Sequence, residues 1–134
     1  MPATTTVTAA DIMVTNVVTV TPDTTIHCAI QLLLKHGISG MPVLNENREV
    51  IGILSERDCL KTLLSAQYHN LPAAHVIDLM TTGIRTIAPD TDVMAIARLF
   101  TEERFRRLPV VEDGRLVGQV SRRDLLRAID QRKV

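Results

Sequence analysis

The sequence carries one polar motif twice, Gly-x-x-Ser-x-Arg-Asp, at residues 52–58 and again at residues 118–124. A serine that begins a helix accepts hydrogen bonds from free backbone N–H groups, and those groups also attract anions. An arginine in the first helical turn adds a forked donor that suits phosphate. An ionised aspartate, which only accepts hydrogen bonds, suits both hydroxyls of a ribose. The glycine would allow a ligand to approach the strand backbone closely.

A second interpretation of the motif needs no ligand. Ser-x-x-Asp is also the pattern of a capping box, in which the serine and the aspartate satisfy the backbone at the start of a helix. The glycine would then serve the geometry of the preceding strand. Duplication alone does not decide between the two interpretations, because a duplicated cap is also present twice.

The motif belongs to a repeat that organises most of the chain. Residues 11–15 return as residues 78–82, and residues 40–44 return as residues 107–111, each 67 positions later. After a turn that is one residue shorter, residues 52–58 return as residues 118–124, 66 positions later. We therefore predict repeat 1 at 11–63 and repeat 2 at 78–129. A connection at 64–77 joins them, with tails at 1–10 and 130–134.

Each repeat predicts the element order β-α-β-β-α. The β-branched run Val17–Val20 predicts a strand that ends at Pro22. A threonine at position 24 or 25 can cap the helix that follows, and Gly37 can end it in a left-handed conformation. A hairpin and a second helix, opened by Ser55, complete the repeat.

The alignment of the repeats also predicts which side chains pack in the core. The buried helix faces are predicted at Ile26, Ile30, Leu33 and Leu34, and at Val93, Ile96, Ala97 and Phe100. Small or apolar counterparts predict core positions for Cys28 and Cys59, and packing roles for Met13, Met41, Met80 and Met94. Helix caps are predicted at Asp11 and Asp78.

The composition argues against several classes of function. The 134 residues carry a formal net charge of zero, so no overall field attracts nucleic acid or an anionic membrane. Two phenylalanines and one tyrosine are too few to stack single-stranded nucleic acid. The four histidines and two cysteines show no metal spacing. We expect no signal peptide and no membrane span, and a reducing cytoplasm as the location.

Over residues 11–129 the chain resembles tandem CBS domains, the Bateman modules named after cystathionine β-synthase. The resemblance rests on an Asp-x-Met start, a strand reading V-V-T-V-T-P-D or I-R-T-I-A-P-D, a Pro-Val strand and the final Gly-x-x-Ser-x-x-Asp. It implies an α+β fold of two βαββα repeats packed about a pseudo-two-fold axis. It also implies that the cleft between the repeats binds AMP, ADP, ATP, NAD or S-adenosylmethionine.

Carried over position by position, the resemblance implies a role for each candidate site residue. It assigns the ribose to Asp58 and Asp124. It places four residues beside the ribose or the phosphates, namely Ser55, Arg57, Ser121 and Arg123. It places at the adenine edge the backbone of Thr21 and Ala88. The segments that flank the base and the phosphates are Ile38, Ser39 and Gly40, and Phe105, Arg106 and Arg107.

The two predicted sites differ in charge. Repeat 2 contains five arginines near its motif, which are Arg104, Arg106, Arg107, Arg122 and Arg123. We therefore expect phosphate binding to favour Arg106, Arg107 and Arg123. A solvated helix end neutralised by nearby glutamates would explain the same cluster without a ligand. Arg106 stands where the family frequently has histidine, which leaves the number of phosphates open.

Two functions follow from these observations. The first is a stand-alone CBS-pair regulatory module that binds an adenine-containing nucleotide of the AMP, ADP, ATP or NAD class and signals to a partner. S-adenosylmethionine is a less favoured ligand than these nucleotides. The second is a constitutive dimerisation or scaffold module with vestigial pockets. We expect no enzyme, no required cofactor, no metal, no nucleic acid and no membrane. The implied partners are an adenine nucleotide, a second copy in a homodimer and an unidentified effector protein.

Overall fold

The computed structural model describes residues 6–64 and 74–134, which form two compact units. The Asp58 unit is Val18–Ile84, and the Asp124 unit combines Met1–Val17 with Arg85–Val134. Most of the predicted connection at 64–77 lies outside the described residues, and so does His69.

The predicted α+β fold is confirmed, with two repeats that each contain a helix, two strands and a helix. In the Asp58 unit these are α2 (Ile26–His36), β1 (Gly40–Leu44), β2 (Val50–Ser55) and α3 (Glu56–Leu64), followed by α4 (Val76–Leu79). In the Asp124 unit they are α5 (Val93–Glu102), β3 (Arg107–Glu112), β4 (Arg115–Ser121) and α6 (Arg122–Asp130), together with α1 (Ala9–Ile12).

The predicted turn and cap residues shape the ends of these elements. Thr25 accepts a hydrogen bond from the N–H of Cys28 at the start of α2, and Gly37 ends that helix at φ 60°. This left-handed conformation carries little penalty for glycine. Asp113 and Gly114, both at positive φ, form the tight turn between β3 and β4. Such a two-residue turn matches the twist of an antiparallel hairpin.

The predicted strand at Val17–Val20 is reduced to one parallel bridge beside β1, between Val20 and Val43. Val20 donates its N–H to the carbonyl of Pro42 at 3.1 Å, and its carbonyl accepts from the N–H of Leu44 at 2.8 Å. The next bond of this parallel ladder would need an N–H from residue 42. Proline has none, so the strand cannot be extended.

The Asp124 unit has the same interruption. Ile87 and Val110 form its single parallel bridge, and Pro109 occupies the place of Pro42. The prolines therefore leave the carbonyl groups of Val18 and Arg85 without a ladder donor from the hairpin.

Each hairpin has a further partner on its other side, and that partner comes from the start of the other repeat. Thr81 and Ile53 exchange both backbone hydrogen bonds, at 2.9 and 3.0 Å, along the edge of β2. Val14 and Gln119 do the same along β4, both at 2.9 Å. The start of repeat 2 therefore belongs to the Asp58 unit, and the start of repeat 1 belongs to the Asp124 unit.

Each unit buries its own apolar core between its helices and its hairpin. The fully buried side chains of the first core include Met41, Val43, Leu54 and Val76, and those of the second include Ile96, Leu108, Val110 and Val120. The predicted cap residues Asp11 and Asp78 accept hydrogen bonds from the backbone N–H groups of Thr8 and His75, each at 2.8 Å. Those two cap predictions are confirmed.

Three predicted core positions are wrong, because Leu34, Cys28 and Met94 are exposed. Successive residues of an α-helix are turned by about 100°. Leu34 and Met94 each follow a buried residue directly, and this rotation carries their side chains away from the sheet. Cys28 lies two positions after a buried residue, on the opposite side of α2. Cys59, Met13, Met41 and Met80 do pack against the cores.

Candidate functional site

Ser55 and Asp58 form the centre of the candidate site in the Asp58 unit. Ser55 ends β2, and Asp58 lies in the first turn of α3, where it is 3% exposed. Oδ2 of Asp58 accepts from the N–H of Ser55 at 2.9 Å and from its Oγ at 3.0 Å. Oγ of Ser55 accepts in turn from the N–H of Asp58 at 3.1 Å. These reciprocal bonds form a capping box.

Asp58 has two further donors that the sequence did not single out. Lys61 donates from Nζ to Oδ1 at 3.2 Å, across one turn of α3. Thr81 donates from Oγ1 to Oδ1 at 3.1 Å, with Oδ2 at 3.3 Å. Thr81 is 23 positions away in the sequence, and the only signal for it is the position of its segment in the repeat.

Ser121 and Asp124 repeat the capping box in the Asp124 unit. Oδ2 of Asp124 accepts from the N–H of Ser121 at 2.8 Å and from its Oγ at 2.9 Å. Arg127 donates from Nη1 to Oδ1 at 3.0 Å. Val14 occupies the position that corresponds to Thr81, and its side chain has no hydroxyl. The capping interpretation is thus confirmed in both units, and the ribose role of each aspartate stays a prediction.

The predicted role of the motif glycine is wrong. A Cβ on Gly52 would lie 2.8 Å from Sδ of Met80 and 3.0 Å from the carbonyl oxygen of Thr81. A Cβ on Gly118 would likewise overlap the side chain of Met13. The space beside each glycine is filled by the segment that crosses the hairpin, so it does not admit a ligand.

The predicted flanking segment of repeat 1 lies beside its capping box. Gly40 pairs with Ser55 across the hairpin, and the carbonyl of Ser39 accepts from the N–H of Glu56 at 2.8 Å. Ile38 is half-buried against the core. These residues meet Ser55 and the start of α3 at one end of the hairpin.

The flanking segment of repeat 2 is held by an additional side chain. Arg107 pairs with Ser121 across the hairpin, and Arg122 donates from Nε to the carbonyl of Phe105 at 3.1 Å. Phe105 is half-buried and Arg106 is exposed. Arg122 was predicted only as one member of an arginine cluster. The structure shows that it binds the loop that carries Arg104 and Arg106.

Thr21 and Ala88 do not lie beside the capping boxes. Thr21 directly follows Val20, whose bridge partner lies near the hairpin turn, whereas Ser55 pairs with the first residue of β1. Four residues of strand, about 13 Å, separate the two ends. Ala88 follows its bridge in the same way, so it also lies towards the hairpin turn. Val18, two residues before the bridge, lies instead towards the end of β1 that pairs with Ser55.

Thr21 and Ala88 line separate open grooves. The groove at Thr21 has a volume of about 860 Å³, and it also contains Asp23 and His75. A hydrogen bond from the Thr21 hydroxyl holds the pKa of Asp23 below its usual value. The groove at Ala88 has a volume of about 340 Å³. Neither groove contains a capping-box aspartate, so neither coincides with the predicted ribose position.

The predicted phosphate ligands surround the starts of α3 and α6. Arg57 and Arg123 are exposed in the first turns of these helices. Arg107 is half-buried at the beginning of β3. In the Asp124 unit the buried carboxylate is thus close along the backbone to Arg107 and Arg123. A carboxylate is able to bind a hydroxyl, and a guanidinium group is able to bind an anion.

Residues 6–64 and 74–134 contain no group of three or more histidine, cysteine or acidic side chains able to hold a metal ion. Burial, followed by the charge of Asp58, raises the pKa of the Cys59 thiol from 9.0 to about 11. Cys59 is therefore an uncharged thiol at neutral pH and a weak nucleophile. Within the same residues, no helix has the length and apolar character that crossing a membrane requires.

Comparison with known proteins identifies the family. The model of the CBS domain matches twice, at residues 9–65 and 76–131. The chain belongs to the CBS-domain family and contains a pair of these domains.

Relatives of known sequence span several kinds of protein. An uncharacterised protein of Methanocaldococcus jannaschii is 31% identical over 119 residues, covering 89% of this chain and 41% of that protein. The mitochondrial CBS domain-containing protein CBSX3 of Arabidopsis thaliana is 31% identical over 113 residues, covering 81% of this chain and 54% of that protein. The chain thus spans about half the length of these curated relatives.

Solved structures match the fold over nearly the whole chain. CBSX2 in complex with AMP has a TM-score of 0.84 and 33% identity, and the match covers 95% of this chain and 98% of that one. The CBS domain pair of protein MJ0100, in complex with 5′-methylthioadenosine and S-adenosyl-L-methionine, has a TM-score of 0.81 and 25% identity. That match covers 96% of this chain and 99% of the other.

Proposed function

We propose that this chain is a regulatory CBS pair that binds an adenine-containing nucleotide of the AMP, ADP, ATP or NAD class and signals to a partner protein. The observation that carries the proposal is the buried Asp124. Its Oδ2 is used by the capping box, and among the described residues Oδ1 accepts only from the exposed side chain of Arg127. A similar protein, CBSX2, has been crystallised with AMP.

The ribose would bind at Oδ1 of Asp124. Arg127, the present partner of that oxygen, is 57% exposed along its side chain. The guanidinium end of Arg127 therefore reaches solvent, and ribose hydroxyls that take its place keep the buried carboxylate oxygen hydrogen-bonded. The two ribose hydroxyls would then donate to the vacated oxygen while the cap on Oδ2 remains intact.

The adenine would bind beside the backbone that the prolines leave outside the ladder. Val18 and Arg85 have no ladder bonds to β1 and β3, and they lie towards the same ends of the hairpins as Ser55 and Ser121. Backbone N–H and carbonyl groups are obligatory hydrogen-bonding groups, and the edge of an adenine ring offers one donor and one acceptor to match them. This proposal replaces Thr21 as the adenine contact of the Asp58 unit. In the Asp124 unit it moves the contact from Ala88 to Arg85, which lines the same groove.

The phosphates would bind to Arg106, Arg107 and Arg123. In repeat 1 the counterparts of Arg106 and Arg107 are Ser39 and Gly40, which carry no charge. A guanidinium group presents paired donors that match a phosphate oxygen pair. We therefore propose that phosphorylated ligands bind more tightly in the Asp124 unit.

Calorimetric titration tests this function, with AMP, ADP, ATP, NAD and S-adenosylmethionine each added to the purified chain. We expect saturable binding of at least one nucleotide, and Asp124→Ala should reduce it at least tenfold, since a hydrogen bond to a charged group contributes about 1.5–3 kcal/mol. Asp124→Asn retains a cap acceptor and serves where the alanine variant does not fold. Asp130→Ala, at the exposed end of α6, is the matched control. Absence of binding by all five compounds at millimolar concentration would contradict the proposal.

We further propose that the chain acts as a homodimer in the cytoplasm, without enzymatic activity of its own. The support is an apolar surface on α2 and α3, where Leu34, Leu60 and Leu63 are 74%, 61% and 74% exposed. Contiguous exposed leucines are characteristic of association surfaces. This surface equally favours the second candidate function, a constitutive scaffold, which requires the dimer and no ligand. Light scattering of Leu63→Glu should give the monomer mass, and a persistent dimer would reject this surface.

A further inference from the structure

We propose that Thr81 makes the Asp58 site the weaker of the two nucleotide sites, because its hydroxyl competes with the ribose for the Asp58 carboxylate. The inference rests on the proposed function and concerns the difference in nucleotide affinity between the two sites. Thr81 lies outside the duplicated polar motif, on the segment that follows α4 and crosses the edge of β2.

The hydrogen-bond acceptors of the two aspartates are filled to different extents. An ionised carboxylate has about four lone-pair positions. Among the described residues, Asp58 receives four donors, from the N–H and Oγ of Ser55, from Lys61 and from Thr81. Asp124 receives three, from the N–H and Oγ of Ser121 and from Arg127. Asp124 therefore keeps one acceptor position, and Asp58 keeps none.

A ribose brings two hydroxyl donors, so binding has a different cost in each unit. Asp124 can accept both after it releases Arg127 alone. Asp58 must release both Lys61 and Thr81. The lysine is exposed and is replaced by water easily.

Thr81 is exposed like the lysine, but its backbone is anchored to the hairpin. Its backbone is fixed to Ile53 by two hydrogen bonds, so its hydroxyl can leave Asp58 only by rotating about χ1. The released hydroxyl then loses a charge-assisted hydrogen bond, which is stronger than a neutral one. In the Asp124 unit Val14 forms the same pair of backbone hydrogen bonds, with Gln119. Its side chain has no hydroxyl, so it does not compete with the ribose.

The experiment follows each site separately by heteronuclear NMR while AMP is added. The amide signal of Ser55 reports the Asp58 site, and that of Ser121 reports the Asp124 site. In the wild-type chain we expect Ser121 to respond at lower AMP concentration. Thr81→Val should tighten binding at Ser55 by about threefold to tenfold, the effect of one hydrogen bond, and leave binding at Ser121 unchanged. Thr81→Ser, which retains the hydroxyl, and Thr82→Val, at the exposed neighbouring position, should both keep the wild-type affinity.

The reverse exchange, Val14→Thr, adds a hydroxyl near Asp124 and should weaken binding at Ser121 by a similar factor. It provides a second measurement should Thr81→Val not fold, and the amide spectrum reports folding directly. AMP binding with no tightening at Ser55 in Thr81→Val would overturn this inference and leave the proposed function intact. No response at either amide to AMP, ADP, ATP or NAD would overturn both.

Discussion

Sδ of Met80 lies only 2.8 Å from the position that a β-carbon on Gly52 would occupy. The methionine belongs to the segment that starts repeat 2, and the glycine belongs to the hairpin of repeat 1. Their contact explains why both residue types recur in the duplicated sequence without any ligand between them.

Replacement of this glycine should therefore destabilise the fold. We expect Gly52→Ala to lower the free energy of unfolding by about 1–3 kcal/mol, the usual cost of overpacking a core. Urea unfolding measures the change. Met80→Ala in the same chain removes the overlapping sulfur, so the double variant should lose less than the sum of the two single losses. Strictly additive losses would show that the contact is not the reason for the glycine.

The serine of the capping box should contribute to stability whether or not a ligand binds. Ser121→Ala removes the acceptor for the N–H of Asp124 and a donor to its carboxylate. We expect a loss of about 0.5–2 kcal/mol in the free energy of unfolding, the range for such caps. Ser121→Thr retains a hydroxyl and is the control in the same thermal or urea unfolding experiment. An alanine variant as stable as the wild type would remove the capping box as a source of stability.

Cys59 should make stability depend on pH in the alkaline range. Its pKa is raised from 9.0 to about 11 in the folded chain, so above pH 9 the unfolded chain loses this proton first. Stability is therefore fully present below pH 9 and falls as the pH rises towards 11. Urea unfolding at pH 8, 9 and 10 measures the slope, and Cys59→Ala should flatten it. An equal slope in both proteins would assign the pH dependence to other groups.

The two cysteines should also differ in reactivity. Cys28 is exposed and Cys59 is buried. A thiol reagent at pH 8 should modify one cysteine in the folded chain and both in urea, because the buried thiol is neither accessible nor ionised. Cys28→Ser should abolish the fast modification. Rapid modification of that variant under folding conditions would contradict the burial of Cys59.

Arg122 should support ligand binding through the loop it holds. Arg122→Ala breaks the bond to the carbonyl of Phe105, which frees the loop that carries Arg106 and leads into β3 at Arg107. We expect AMP affinity to fall by about threefold to tenfold, the effect of one hydrogen bond. The free energy of unfolding should change by no more than about 0.5 kcal/mol, as for most surface positions. Calorimetry measures the affinity, and Arg115→Ala, on the exposed end of β4, should bind as the wild type.

The repeat and its motifs predict most of the fold and the centre of the site. Ser55 and Asp58 are close in sequence, so their capping box follows from local geometry. Gly37 and the Asp113–Gly114 turn are equally local. The contact between Thr81 and Asp58 is not predictable in this way, since it depends on which segment crosses the hairpin edge.

The adenine contacts show a second limit of sequence reasoning. The β-branched run at Val17–Val20 correctly indicates an extended segment, but it does not give the register beside β1. Pro42 determines that only Val20 completes a bridge, so Thr21 falls towards the hairpin turn and Val18 towards Ser55. The resemblance names Thr21 by its position along one strand, and the register beside β1 places that residue away from Ser55; the adenine contact itself stays a prediction.

The exchange of starting segments has a consequence for a single repeat in isolation. Such a chain would present the edge of β2 without Thr81, and Gly52 without Met80 against it. Residues at the start of repeat 1 are built to fill the same places in the other hairpin, as Val14 and Met13 do. Two identical single-repeat chains could therefore complete each other by trading these segments, which is a domain swap. In this chain one polypeptide supplies both segments, so each hairpin takes the partner for its edge from the other repeat.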